Sequence, residues 1–312
     1  KAISGATGQE FDDLTAKAQE MGATTKFTAT ESAEAFNYMA MAGWKPQQMI
    51  DGISGIMSLA AASGEDLGTT SDIVTDALTA FGLQAGDAGR FADVLAQASA
   101  NANTNVSMLG ESFEYVAPVA GAMNYSVEDT SLALGLMANA SIKGSMAGTA
   151  LKTSLANMAA PTDSMAAAMD KYGISLTDSE GNMKSLRGVI DNLRGSLGGL
   201  SETEQTAAAS TIFGKEAMAG MLAIINASEE DYNKLSTAIG NSKDAAEGMA
   251  DTMLDNLKGS FTLMQSAIEG TENAFGKRLS PYLRDIAGGI ADTMPGMTDG
   301  INAMMDVVDD KI

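Results

Sequence analysis

The chain has no cysteine and no histidine. The first absence excludes a disulfide framework, a thiol nucleophile and any thiolate-held zinc or iron–sulfur centre. The second excludes a Ser-His-Asp triad, an imidazole base and the usual transition-metal sites. Basic residues are scarce, with 19 Lys and Arg against 40 Asp and Glu, a net charge of −21. Gripping nucleic acid takes clustered Lys and Arg, so this balance argues against it. Aromatics are few, at 9 Phe, 6 Tyr and 1 Trp, and proline occurs 5 times. Long hydrophobic runs are missing as well. The most apolar uncharged stretches, 52–64 and 130–142, hold 13 residues each, about 20 Å as helix. A bilayer span takes about 20 residues. No charged segment followed by an apolar core opens the chain, so no signal peptide is visible.

Catalytic patterns are missing too. The sequence holds no P-loop, no G-x-S-x-G elbow and no S-x-x-K pair. Two carboxylates suffice for a glycosidase, and Glu111 and Glu114 stand at i, i+3. Among 40 acids such a pair arises by chance. The reading is no enzyme, no cofactor and no metal.

What is present is helix. An apolar content of 45% marks a globular chain. Thr28 and Glu31 make a capping box ahead of Ala33–Met41. Pro46 sits at a first helical position, with Met49, Ile50, Ile53, Met57 and Ala60 following at helical spacing. Ser71 is placed to cap a run with Ile73, Val74, Ala77, Leu78 and Phe81 on one face, ended by Gly82. Phe91 to Ala98 and Val106 to Val116 mark two more helices, with Pro118 bending or closing the second. Ser126 caps the next, and another spans 147–158. Thr162 opens a short one that Gly173 closes. Ser185, Ser201 and Ser228 cap further runs at 186–197, 202–213 and 229–239, with another at 216–225. Ser242 is read as the cap of one long helix reaching about residue 275. In it Leu254, Phe261, Ile268 and Phe275 recur every seven residues, with Leu257 and Met264 between them. That spacing suits a coiled-coil seam or an internal packing stripe alike.

One segment breaks the pattern. Two short alternating runs flank Asp178-Ser179-Glu180-Gly181, which predicts a small β-hairpin near 174–185. Asp178, Glu180 and Asn182 mimic the start of a calcium loop, but Met183 stands where its glycine belongs and the twelfth position is not Glu.

Glycine sets the shape. A single helix of 312 residues would be about 470 Å long. The 33 Gly, mostly at helix ends, break it into helices of 10–17 residues. The expected fold is mainly α, a multi-helix array or bundle of short helices with one small β-hairpin and a long C-terminal helix. Its radius of gyration would be about 20 Å. Three regions follow: an N-terminal helix and linker at 1–27, a helical core at 28–241, and the long helix with a Gly/Pro-broken tail at 242–312. The 22 Met fill irregular gaps or adapt to more than one packing.

Charge is uneven. From 46 to 142 the one base is Arg90 against eleven acids, a net −10. This reads as a solvated surface that keeps the chain soluble or, as the sharper alternative, as one that repels DNA and lets it pass. The chain opens on Lys1 without Met and ends in Met304, Met305, Val307 and Val308, the reading expected of a segment of something longer.

Nine short segments, which group into six blocks, carry a family resemblance. They begin with Gly64-Glu65-Asp66-Leu67, Ala80-Phe81-Gly82-Leu83 and Ala92-Asp93-Val94-Leu95-Ala96. Leu109-Gly110-Glu111-Ser112 and Tyr115-Val116-Ala117-Pro118-Val119-Ala120 follow. The most specific is Ile142-Lys143-Gly144-Ser145-Met146-Ala147-Gly148-Thr149-Ala150-Leu151. Gly173-Ile174 with Asp178 and Gly181 comes next, then Ile212-Phe213-Gly214-Lys215-Glu216-Ala217 and Gly276-Lys277-Arg278-Leu279-Ser280-Pro281-Tyr282-Leu283. In this order the blocks resemble the core region of phage tail tape measure proteins.

The resemblance implies a structural protein of the virion tail lumen, made in the bacterial host cytoplasm, whose full length sets tail length and which leaves ahead of the DNA. It implies tail tube, tail tip or baseplate proteins and tail assembly chaperones as partners. The expected assembly is a homo-oligomer, with a trimer favoured. No specific nucleic-acid binding is expected, although DNA follows the same channel. The long flanking coiled coils of a whole tape measure are absent, so the ruler lies outside this segment. The alternative is a membrane-active or pore-forming module that contacts the host membrane at ejection. Gly144, Ser145, Ala147, Gly148, Thr149 and Leu151 are the candidates for a tight helix contact, although Gly144 and Gly148 also suit a turn.

Overall fold

The computed structural model describes residues 5–255, together with Met264 and Ser266. Among the described residues there are fourteen α-helices. They are α1 (Gln9–Thr24), α2 (Ala29–Met41), α3 (Pro46–Ser63), α4 (Leu67–Phe81), α5 (Ala88–Asn101), α6 (Val106–Ala122) and α7 (Val127–Asn139). Then come α8 (Gly144–Ala159), α9 (Asp163–Tyr172), α10 (Leu186–Leu197), α11 (Glu202–Phe213), α12 (Met218–Ile225), α13 (Glu229–Gly240) and α14 (Ala245–Leu254). A 3-10 turn, Ala85–Asp87, precedes α5.

Local chemistry explains most boundaries. Thr28 and Glu31 exchange both capping-box hydrogen bonds, at 3.1 and 2.7 Å. Pro46 is the first residue of α3, where no N–H is needed. Gly64 and Gly82 close α3 and α4 in left-handed conformations that cost a residue with a Cβ more. Ser126, Thr162, Ser185, Ser201 and Ser228 each accept a hydrogen bond from the N-terminal turn that follows.

Four expectations are corrected. Helix α4 is capped by Asp66, not Ser71, because the Asp66 carboxylate accepts the Thr69 N–H at 2.9 Å. Ser71 lies inside the helix and bonds back to the Leu67 carbonyl. Pro118 does not close α6, which runs on to Ala122. The β-hairpin does not form: among the described residues there is no strand, and a single antiparallel bridge joins Thr177 to Met183. The arms are short, Met183 is exposed, and no neighbouring strand continues a ladder. Ser242 does not cap the last helix, since it is buried before a left-handed Asp244, and α14 starts at Ala245. Of the seam candidates, Leu254 ends α14 half-buried and Met264 is half exposed. Leu257, Phe261, Ile268 and Phe275 lie outside the described residues.

Helices α3 to α8 pack around one apolar core, and α1–α2 lean on its α3–α4 side. Helices α9 to α13 cover the α7–α8 side, and α14 rests on α3 and α5. At the centre is α7, with eleven buried residues from Val127 to Ala138. A helix apolar on every face belongs inside. Most of the uncharged stretch 130–142 lies in α7, and burial from Thr130 to Ala138 accounts for that composition. Among the described residues no helix is long and apolar enough to cross a membrane.

Two buried side-chain oxygens, Tyr125 Oη and Ser131 Oγ, have no hydrogen-bond partner among the described residues. Burial of the phenol disfavours its anion and pushes the Tyr125 pKa up to about 12 from 10.0. The neutral phenol is therefore tolerated below pH 10, and stability falls between pH 10 and 12, where the unfolded chain ionises first. We expect Tyr125→Phe to leave stability at pH 7 unchanged or higher and to flatten the alkaline loss. Urea melts at pH 7 and pH 11 check this, and equal losses in both proteins would refute it.

Candidate functional site

Helix contacts and the charged surface are the candidate features for function among the described residues. The candidate segment of α8 divides between two faces. Gly144, Ala147, Gly148 and Leu151 are buried toward the core. A Cβ on Gly148 would fall on the Ser112 carbonyl oxygen and lie 3.0 Å from Ser112 Cα, so α8 meets the backbone of α6 itself. Ser112 Oγ ties the contact by donating to the Gly144 carbonyl at 2.8 Å. Gly144 has φ +57, and the Glu111 carboxylate lies where its Cβ would be. Ser145 and Thr149 face the other way. They line a groove of about 440 Å³ toward α12, with Tyr115 and Glu216 on its walls. Met146 at its edge is 67% exposed.

Close backbone approach recurs beyond this segment. A Cβ on Gly121 of α6 would lie 2.9 Å from Phe81 Cα of α4. One on Gly55 of α3 would lie 2.6 Å from Gly89 Cα of α5. Sequence reasoning missed both positions. The available signal was a glycine inside a helical pattern, where it costs about 1 kcal/mol unless packing requires it.

The acidic stretch has a definite place. A groove of about 480 Å³ between α4 and α6 has Ile73, Ala77 and Phe113 in its walls and Asp72, Asp76 and Glu114 around it. Burial, then the Asp76 charge, raises the Asp72 pKa above the usual carboxylate value. Arg90, the one base of the stretch, is engaged by Glu128 at 3.0 Å and Asp87 at 3.8 Å.

Polar residues that carried no motif hold the second half together. The buried Asp129 carboxylate of α7 accepts from the Arg187 backbone N–H and Nε of α10, both at 3.1 Å. Arg187 Nη1 reaches Ser236 of α13 at 2.8 Å. Arg194 donates to the Ile224 and Ala227 carbonyls at the end of α12 and pairs with Glu229 at 2.7 Å. Gln205 and Asn226 exchange two amide hydrogen bonds at 2.8 and 2.9 Å. Spacing in one sequence does not reveal such pairs, because the partners stand 21 to 58 residues apart.

The calcium-like segment is a turn. Asp178 Oδ1 accepts from the Glu180 and Asn182 N–H groups, both at 2.9 Å, and these bonds hold its carboxyl below the usual range. Among the described residues no group of three acids is placed to hold a metal.

Comparison with known proteins agrees with the tape measure resemblance. Residues 15–214 match the family described as phage-related minor tail protein. The chain is 39% identical over 294 residues to a tape measure protein of Pneumococcus phage Dp-1, covering 94% of this chain and 26% of that protein. It is 27% identical over 263 residues to a probable tape measure protein of Escherichia phage P2, covering 83% of this chain and 32% of that one. It therefore spans about a quarter and a third of these relatives' lengths. No solved structure matches the chain significantly. The chain belongs to the phage-related minor tail protein family, and within it is similar to tape measure proteins.

Proposed function

We propose that this segment is the folded helical core of a tape measure protein that occupies the tail lumen during assembly and leaves ahead of the DNA. The observation that carries the reading is the 39% identity to the Dp-1 tape measure protein across 94% of the chain. The charge of −21 suits a neighbour of DNA, because it offers phosphate no cluster of cations. Asp72, Asp76 and Glu114 around the α4–α6 groove contribute to that charge, and Arg90 is engaged by Glu128. Small-residue helices without disulfides suit a chain that must unfold to pass a narrow tube. Tail tube, tail tip or baseplate proteins and assembly chaperones are its proposed partners, in a homo-oligomer with a trimer favoured. The membrane-active alternative draws on the same Ala-, Gly- and Met-rich helices, and among the described residues no helix is long and apolar enough to cross a membrane.

Length determination belongs to the parent protein. An in-frame deletion or duplication in the regions flanking this segment should change tail length by about 1.5 Å per residue if they are helical. Electron micrographs of tails from such phages give the measurement. Tails of unchanged length would overturn the ruler role.

A further inference from the structure

We propose that α14 is a releasable strap, latched to the helical body by the Asp93 carboxylate and able to open as a unit while the other helices stay folded. This inference rests on the geometry of the strap and not on the lumen reading above.

The latch is a helix cap supplied from another helix. The first N–H groups of any helix lack partners within it. In α10, α11 and α13 the preceding serine meets that need and travels with its own helix. Helix α14 has no side-chain cap of its own. Instead Asp93, on α5 and 151 residues away, accepts the Asp244 N–H at 2.8 Å and the Ala246 N–H at 2.9 Å. Both bonds are charge-assisted, and both are lost together when the strap lifts.

Helix α14 sits close against both α3 and α5, but small side chains make the attachment. Of the ten residues of α14 only Ala246 and Ala250 are buried. Met249 reaches a cleft with Ala62 and Ser63 of α3 and Ala96, Ser99 and Ala100 of α5. The strap therefore runs along α5 from Asp93 toward Ala100. Met253 on the outer face is 52% exposed. A helix of this length is marginal in water without its seat, so it unwinds once it detaches. Asp244 adds to the bias, since its φ of +61 is one that residues with a Cβ rarely adopt.

Limited trypsin digestion of the whole chain, read by mass spectrometry, tests this. Cleavage after Lys243, in the turn that the latch fixes, is compared with cleavage after Lys234, which is exposed on α13. Asp93→Ala should speed cleavage at Lys243 about tenfold or more and leave Lys234 unchanged. Unchanged rates at Lys243 in Asp93→Ala would overturn the latch. Equal acceleration at both lysines would overturn the independence of α14.

Discussion

Gly148→Leu should cost the fold about 3 kcal/mol or more, at the upper end of what overpacking does. At roughly 2–4 °C per kcal/mol for a domain of this size, the melting temperature should fall by about 6–12 °C. The reason is the identity of the atom in the way. Overpacking is relieved when a flexible side chain can turn aside, but a Cβ at Gly148 meets the Ser112 carbonyl oxygen and lies 3.0 Å from Ser112 Cα. Only separation of α6 and α8 makes room, and that also breaks the bond from Ser112 Oγ to the Gly144 carbonyl. Truncating residue 112 to glycine should not rescue the variant, because the obstacle is backbone. Gly195→Ala on α10 is the control. Nothing lies within 4 Å of a Cβ there, so stability should hold or rise slightly. Thermal melts followed by circular dichroism decide the matter, and a Gly148→Leu protein that melts with the wild type would refute the tight contact.

Phe113→Ala should cost about 3–5 kcal/mol. The ring is 1% exposed and meets Phe81 and Phe91 edge to face, at centroid distances of 5.8 and 5.5 Å. It therefore joins α6 to α4 and α5 at once, in a chain with only nine phenylalanines. Phe81→Ala should cost less, because Phe81 is only partly buried. Urea denaturation of both variants checks the order, and equal losses would count against Phe113 as the joint of the three helices.

Helix placement was legible wherever the signal was local. The Thr28–Glu31 box, Pro46, and the serines at 126, 185, 201 and 228 mark true starts. Ser71 misled because an Asp five residues earlier competes for the same role, and position alone does not rank two good caps. The alternation at 174–185 was real but too short to form strands, and it survives as one bridge. The candidate contact on α8 was legible only as a run of small residues. Which of them faces α6 and which faces α12 depends on how the helix is rotated in the bundle.

By itself, the sequence determined the chemistry that is excluded and the length scale of the helices. No cysteine, no histidine and −21 follow from counting, and glycine spacing limits helix length through local backbone cost. Tertiary structure alone decided what lies at the centre, which glycines are contacts, and how α14 is held. Burial of α7, the approach of Gly148 to Ser112 and the reach of Asp93 to Asp244 join residues far apart in the chain. Such pairings are selected by the mutual packing of whole helices, and no local propensity encodes them.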